Sequence, residues 1–384
     1  MRKALVTLTA LLLVSLVTLA ALELVLRMFP SLVSVSVIDR MHPDLRTEIA
    51  ARLNLPVQED YAIIPSAERM DRGPDIYMLK PERAYFRPVD LVDRAAGAVD
   101  TIHSDARGFC NPAHLVGMAN FDVVTVGGSV PNCASVDGDH VFSAELGKLL
   151  PASSYNLAVY AVGPYEYNEI LSRYAGELEP RVVIFAISEA NDLRDSMRYL
   201  DHLAGKGVEK KGKLGGAFRY SYVLGFMKAG IESLIKQASA TVRPNFRYSI
   251  KSGGESVAMN LTNGDSDELK SARDLDEGKL SADLYAPPLK RFVELSKRHG
   301  FVPVVVYVPA AYSVYQPGIS FEDPSIAPIL AEYSEAQRDW LTRNADLIGY
   351  RFVDPTERLR QIAIADPHVS SLLCLPRLRS TAAS

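Results

Sequence analysis

The sequence reads as an α/β protein: a parallel sheet of about five strands between helical layers, a three-layer α/β/α sandwich, behind one N-terminal transmembrane helix. Three observations carry this expectation. Residues 4–22 hold no charged side chain. Strand-like runs at 123–126, 154–159, 182–187, 301–309 and 350–354, Val-rich in three of the five, alternate with stretches of helical spacing. The first three runs end in small or polar residues, at the carboxyl edge where open parallel sheets build their sites.

The uncharged run follows Met1-Arg2-Lys3. As a helix it spans roughly 28 Å at ~1.5 Å per residue, close to the hydrocarbon thickness of a bilayer. It is longer than a usual signal-peptide core, and no small-x-small cleavage site follows it. An uncleaved signal anchor is therefore favoured over a cleaved signal peptide. Arg2 and Lys3 favour a cytoplasmic N-terminus, with Arg27 on the other flank as a counterweight. Residues 29–118, rich in Pro, Arg and Asp, read as a stalk leading into an irregular lobe.

From 119 the core pattern begins. After the first strand, Gly127-Gly128-Ser129 precedes a helical stretch at about 140–150. Glycines permit a tight turn there, and a helix N-terminus offers N–H groups to developing negative charge, so a serine at this position is a candidate nucleophile. The second strand leads to Ala161-Val162-Gly163 and the third to Glu189-Ala190-Asn191-Asp192. Ser129, the 161–163 turn and Asn191 should therefore converge on one crevice. Beyond Asn191 the pattern lapses into an insertion at about 195–283. Within it Val223, Leu224, Met227, Ile231, Leu234 and Ile235 fall at helical spacing, either as a cap over the site or as a helix packed on the core. Residues 251–283 read as a Gly-, Ser- and Asp-rich loop. The core resumes with a helix at 288–299 stopped by Gly300, the fourth strand, a helix carrying Ile329, Leu330, Tyr333, Trp340 and Leu341, and the fifth strand.

Lys and Arg number 42 against 46 Asp and Glu, and no long basic block appears, which gives no footing for a nucleic-acid partner. Of Cys110, Cys133 and Cys374, the first two flank the first strand. They are either a disulfide bracing the serine loop in an oxidising compartment or two buried thiols. No His or Cys stands at ligand spacing to make a zinc site.

These blocks resemble those of the SGNH (GDSL-type) hydrolases, in a membrane-anchored bacterial branch. Gly127-Gly128-Ser129 stands at the family's Gly-Asp-Ser block, Ala161 or Gly163 at its oxyanion-hole glycine, and Glu189-Ala190-Asn191-Asp192 at its Gly-x-Asn-Asp block. The resemblance implies a flavodoxin-like SGNH fold over 119–384, with 1–28 as anchor. It implies Ser129 as nucleophile and Asn191 with a backbone N–H of Ala161 or Gly163 in the oxyanion hole. His368 would be the base, with Asp366 as its orienter. Asp366-Pro367-His368 is one residue shorter than the family's Asp-x-x-His, so His368 is either that base or a tail histidine, and the terminus either divergent or altered. The implied activity is ester hydrolysis through an acyl-enzyme on an acyl ester or O-acylated glycan. It needs no cofactor or metal and takes place outside the cytoplasm at the bacterial inner membrane. An O-acyltransferase of exopolysaccharide or cell-wall glycan and an inactive glycan-binding relative are the alternatives.

Overall fold

The computed structural model describes residues 2–33, 48–49, 52, 61–64, 73–74, 76–79, 81, 84–87, 100–115, 118, 120–133, 138–206, 221–227, 231, 246–252, 255–260, 267–316 and 318–365. The chain divides into two compact units, residues 1–60 with 209–242, and residues 61–208 with 243–384.

In the first unit, α1 (Arg2–Met28) is the helix of the apolar run. Its stretch Thr9–Met28, 20 residues long with a mean hydropathy of 2.4 over its 18-residue window, is apolar and long enough to span a membrane. Val6, Leu11, Leu13, Val14, Leu16 and Val17 are exposed, so this helix lacks the buried stripe of a core helix. Residues 222–227 form a helical segment of the same unit. Its N-terminus is capped from α1: the Glu23 carboxylate accepts hydrogen bonds from Tyr222 N (3.1 Å), Val223 N (2.9 Å) and Ser221 Oγ (2.8 Å). This helix thus belongs with residues 1–60 and not with the unit that holds the sheet. Leu234 and Ile235, expected to continue it, lie outside the described residues.

The second unit is α/β. Two antiparallel pairs come first, β1 (Tyr61–Ile64) with β2 (Ile76–Leu79) and β3 (Ala84–Arg87) with β4 (Asp100–His103). The central sheet follows: β5 (Val123–Gly127), β6 (Ser154–Asn156), β7 (Val182–Ser188), β10 (Val302–Val308) and β12 (Arg351–Val353), all parallel. Its spatial order is β6-β5-β7-β10-β12. Numbered along the chain this is 2-1-3-4-5, so the winding reverses between the first and third strands. Val123 pairs with Ser154 on one side and Val182 on the other, and Val182 pairs with Val302. β5 is buried throughout, and residues 183–188 of β7 are buried on both faces, as their unbroken apolar runs require. All five strands coincide with the expected runs. β6 ends earlier as a ladder, yet Leu157 N and Val159 N still bond to Thr125 O and Gly127 O.

The helices are α2 (Phe142–Leu149), α3 (Pro164–Leu178), α4 (Asp192–Leu203), α5 (Asp267–Asp276), α6 (Ala286–His299), a short turn α7 (Ala311–Val314), α8 (Ile326–Ile348) and α9 (Thr356–Ala365). Gly300 and Gly349 end α6 and α8 with φ of 77° and 101°, the left-handed cap that glycine takes without strain. The stretch 251–283 is not the loop expected. β8 (Arg247–Ser252) and β9 (Glu255–Asn260) form a hairpin, joined by β11 (Ile319–Phe321), and α5 follows. In β8, Tyr248 and Ile250 alternate inward. α5 buries only Leu269, Ala272 and Ser271, and its hold on α4 is polar. Arg194 donates to Ser271 Oγ at 2.9 Å and pairs with Asp274 at 2.6 Å. An ion pair stands where apolar periodicity would have announced a helix.

Candidate active site

β5 exits into Gly128-Ser129. A Cβ at Gly128 would stand 2.7 Å from Tyr167 Oη and 3.1 Å from Val162 O, so the aspartate of the Gly-Asp-Ser pattern has no room here. Ser129 is half-buried, and its hydroxyl has no hydrogen-bond partner among the described residues.

The serine turn is braced from three sides. The fully buried Asn156 donates from Nδ2 to Pro131 O at 2.9 Å, and its Oδ1 accepts from Ala158 N at 2.9 Å. Asn132 Nδ2 donates to Ala158 O at 2.9 Å. Cys110 and Cys133 are joined as a disulfide, with 6.0 Å between their Cα atoms. The turn before the bridge is folded around Asp105, which accepts from Arg107 N (2.8 Å), Phe109 N (3.0 Å), Asn111 Nδ2 (2.9 Å) and the Tyr155 hydroxyl. Burial and the neighbouring Asp105 charge push the Tyr155 hydroxyl's pKa up.

The second block turns beside this exit. Ala161 is exposed and lies at φ +59°, the left-handed region that costs a residue with a Cβ roughly 1–2 kcal/mol. This explains why a glycine suits the position. Its backbone N–H has no partner among the described residues. Gly163 has a different task. It caps α3: its N–H donates to Glu166 Oε2 at 3.2 Å and its carbonyl accepts from Tyr167 N at 3.0 Å. Its N–H is thus engaged, which takes Gly163 out of the expected pair of oxyanion donors. A Cβ there would stand 2.5 Å from Asp195 Cβ.

The third block closes the group. Asn191 stands at the N-cap position of α4 without capping it; its side-chain Nδ2 donates instead to Asp195 Oδ2 at 2.8 Å, leaving its second N–H for another acceptor. Asp192, fully buried, accepts from Ser188 N and Tyr167 Oη at 2.9 Å each. Burial, then the Asp195 charge, raise its carboxyl well above the usual range. Burial pushes the Glu166 carboxyl up to about 7.

Ser129's turn, the 161–163 turn and Asn191–Asp195 are therefore linked through Gly128, Tyr167, Asp192 and Asp195. Tyr167, Glu166 and Asn156 join this group without standing at any of the three motif positions. Their signal, polar residues at positions that a helix or strand buries, is invisible to a reading based on apolar spacing. Asp366 and His368 lie outside the described residues. Of the described histidines, His103, His114, His140 and His202 are exposed, His140 pairing with Glu145 at 3.0 Å. No group of three or more His, Cys, Asp or Glu among the described residues is placed to hold a metal. Compared with protein-family profiles, curated proteins and solved structures, the chain has no match.

Proposed function

We propose that this chain is a membrane-anchored, SGNH-type serine ester hydrolase that works through an acyl-enzyme. The observation that carries the reading is that three parts follow the first three strands of a 2-1-3-4-5 sheet, at the edge where its winding reverses. They are a serine with an unengaged hydroxyl after strand one, an unengaged N–H at left-handed Ala161 after strand two, and the Asn191 amide after strand three. Ser129 attacks the ester carbonyl, and the carbonyl carbon becomes tetrahedral. The N–H groups of Ser129 and Ala161, with the second N–H of Asn191, receive the oxyanion. Each such donor contributes about 2.7–4 kcal/mol in the transition state. A base must take the serine proton, and His368 with Asp366 fills that role by the family pattern. The tetrahedral intermediate collapses as the ester C–O bond breaks and the alcohol leaves with the proton the base took; water, or a glycan hydroxyl in a transferase, then attacks the acyl-enzyme and frees Ser129.

The anchor and the Cys110–Cys133 bridge both favour an extracytoplasmic setting at the bacterial inner membrane, since disulfides persist in oxidising compartments. Turnover of an acetylated nitrophenol and labelling by a serine-reactive phosphonate test the chemistry. Ser129→Ala should cut turnover by a factor on the order of 10⁴ or more and abolish labelling. His368→Ala should cut turnover and slow labelling together, since the same base activates the serine for both. Full activity in Ser129→Ala overturns the reading, and a wild-type chain that neither turns over nor labels favours the inactive alternative.

A further inference from the structure

An asparagine at a helix N-cap ordinarily turns its side-chain oxygen back to accept an N–H of the opening turn. Asn191, at the N-cap of α4, makes no such bond. Its amide is turned to Asp195 and gives one N–H to Oδ2 at 2.8 Å, while its backbone carbonyl accepts from Asp195 N, also at 2.8 Å. One residue thus holds both the backbone and the side chain of Asn191. Asp195 is itself fixed. It is 4% exposed, and the Arg198 guanidinium pairs with its Oδ1. It also lies against the 161–163 turn, where a Cβ on Gly163 would stand 2.5 Å from the Asp195 Cβ.

The chemistry of this contact decides which end of the amide the site receives. A carboxylate only accepts hydrogen bonds, so a flipped Asn191 would set Oδ1 against Oδ2, two acceptors in contact. With Nδ2 held by Asp195, the second N–H remains on the amide as a donor. We infer that Asp195 is a positioning residue of the oxyanion hole: it holds the Asn191 amide in the orientation that offers an N–H, and not the carbonyl, to the developing charge. The inference rests on the ester-hydrolase reading and deepens it, since oxyanion donors act by being oriented before the reaction begins. An acid in the first turns of a helix also favours the helix dipole, so stability and turnover are to be read separately.

The test is a double-mutant cycle on the full chain in detergent, with an acetylated nitrophenol as substrate and Ser129→Ala as the blank. Asn191→Ala should lower kcat by about 10²–10³-fold. Asp195→Ala should lower kcat by about 10–100-fold with KM within about twofold, as when a hydrogen bond to a charged group is cut. In the Asn191→Ala background the same substitution should cost less than about twofold, because the amide it steers is gone. Thermal melts of each variant set an assay temperature at which all are folded. Arg198 is exposed, so removing Asp195 strands no buried charge; Asp195→Leu, which fills the space without an acceptor, is the second variant. Full kcat in Asn191→Ala or in Asp195→Ala overturns the inference while ester hydrolysis stands. Equal losses in the two backgrounds, or loss of folding in both Asp195 variants, would assign Asp195 to the helix alone and overturn it as well. A wild-type chain no faster than Ser129→Ala removes the hydrolase and the inference together.

Discussion

Glu189 and Ser313, 124 positions apart, are joined by a 2.6 Å hydrogen bond from the serine hydroxyl to Oε1. The same carboxyl accepts from Ala310 N at 2.9 Å, and the Glu189 N–H donates to Val308 O at 3.0 Å. The end of β7 is thereby sewn to the turn after β10. Burial raises the Glu189 carboxyl above its ordinary range. Where the SGNH pattern has a glycine, this chain uses a fully buried side chain as a rivet. Glu189→Gly strands two buried donors and leaves a cavity, so it should cost about 3 kcal/mol or more. A urea unfolding series reads that loss, and an unchanged midpoint would refute the role.

Glu166 makes stability depend on pH. Its folded pKa of about 7 stands above the ordinary ~4.3 because the side chain is buried. Between those values the folded state keeps a proton that the unfolded chain has released. The stability it contributes is whole below ~4.3, falls as pH rises through the window, and is level again above about 7, a total on the order of 3 kcal/mol. Glu166→Gln should flatten that slope and raise the urea midpoint at pH 8 while leaving it near the wild-type value at pH 4. A slope that survives the substitution would assign it to another group.

Ala161 at φ +59° is strained, so its substitutions should be ordered by backbone chemistry. Ala161→Gly relieves the left-handed strain, gives back part of the gain to unfolded-chain entropy, and should end within about 1 kcal/mol of wild type, on the stable side. It keeps the N–H, so turnover should persist. Ala161→Val places a β-branched residue where it is a genuine outlier and should lose stability and activity together. Equal behaviour of the two variants would show that the turn does not hold this conformation.

The Cys110–Cys133 bridge closes a loop with a sequence separation of 23. Chain-entropy reasoning values such a loop at about 3 kcal/mol. Cys110→Ser with Cys133→Ser should lower Tm accordingly, and a reductant should lower the wild-type Tm but not that of the double variant. If the bridge also holds the Ser129 turn, turnover should fall at temperatures where the double variant is still folded.

β5, β7 and β10 were legible as Val-rich runs, the short β6 and β12 by their place in the strand–helix alternation, and the three site blocks by following the ends of the first three runs. α4 and α5 were not. In α4 the buried set includes Asp192, Arg194, Asp195 and Ser196 beside Leu193 and Tyr199, so polarity there marks burial among partners. The same reversal hid Glu166, Tyr167 and Asn156. A reading that assigns polar residues to solvent misses the places where a fold spends polar side chains on itself. Gly163 misled in the opposite sense: its spacing fitted an oxyanion donor, whereas its N–H is taken up by Glu166.

One detail of β6 bears on how the sheet is kept from growing. β6 and β12, at the two margins of the sheet, have three residues each, while β5 has five and β7 and β10 seven. The outward N–H and C=O of Asn156 are both taken by one side chain: Asn111 Oδ1 accepts the N–H at 2.8 Å and Asn111 Nδ2 donates to the carbonyl at 3.1 Å. An asparagine amide thus imitates the neighbouring strand that this margin lacks. A second molecule arriving there finds these hydrogen bonds already made, so the margin offers no template for a shared sheet.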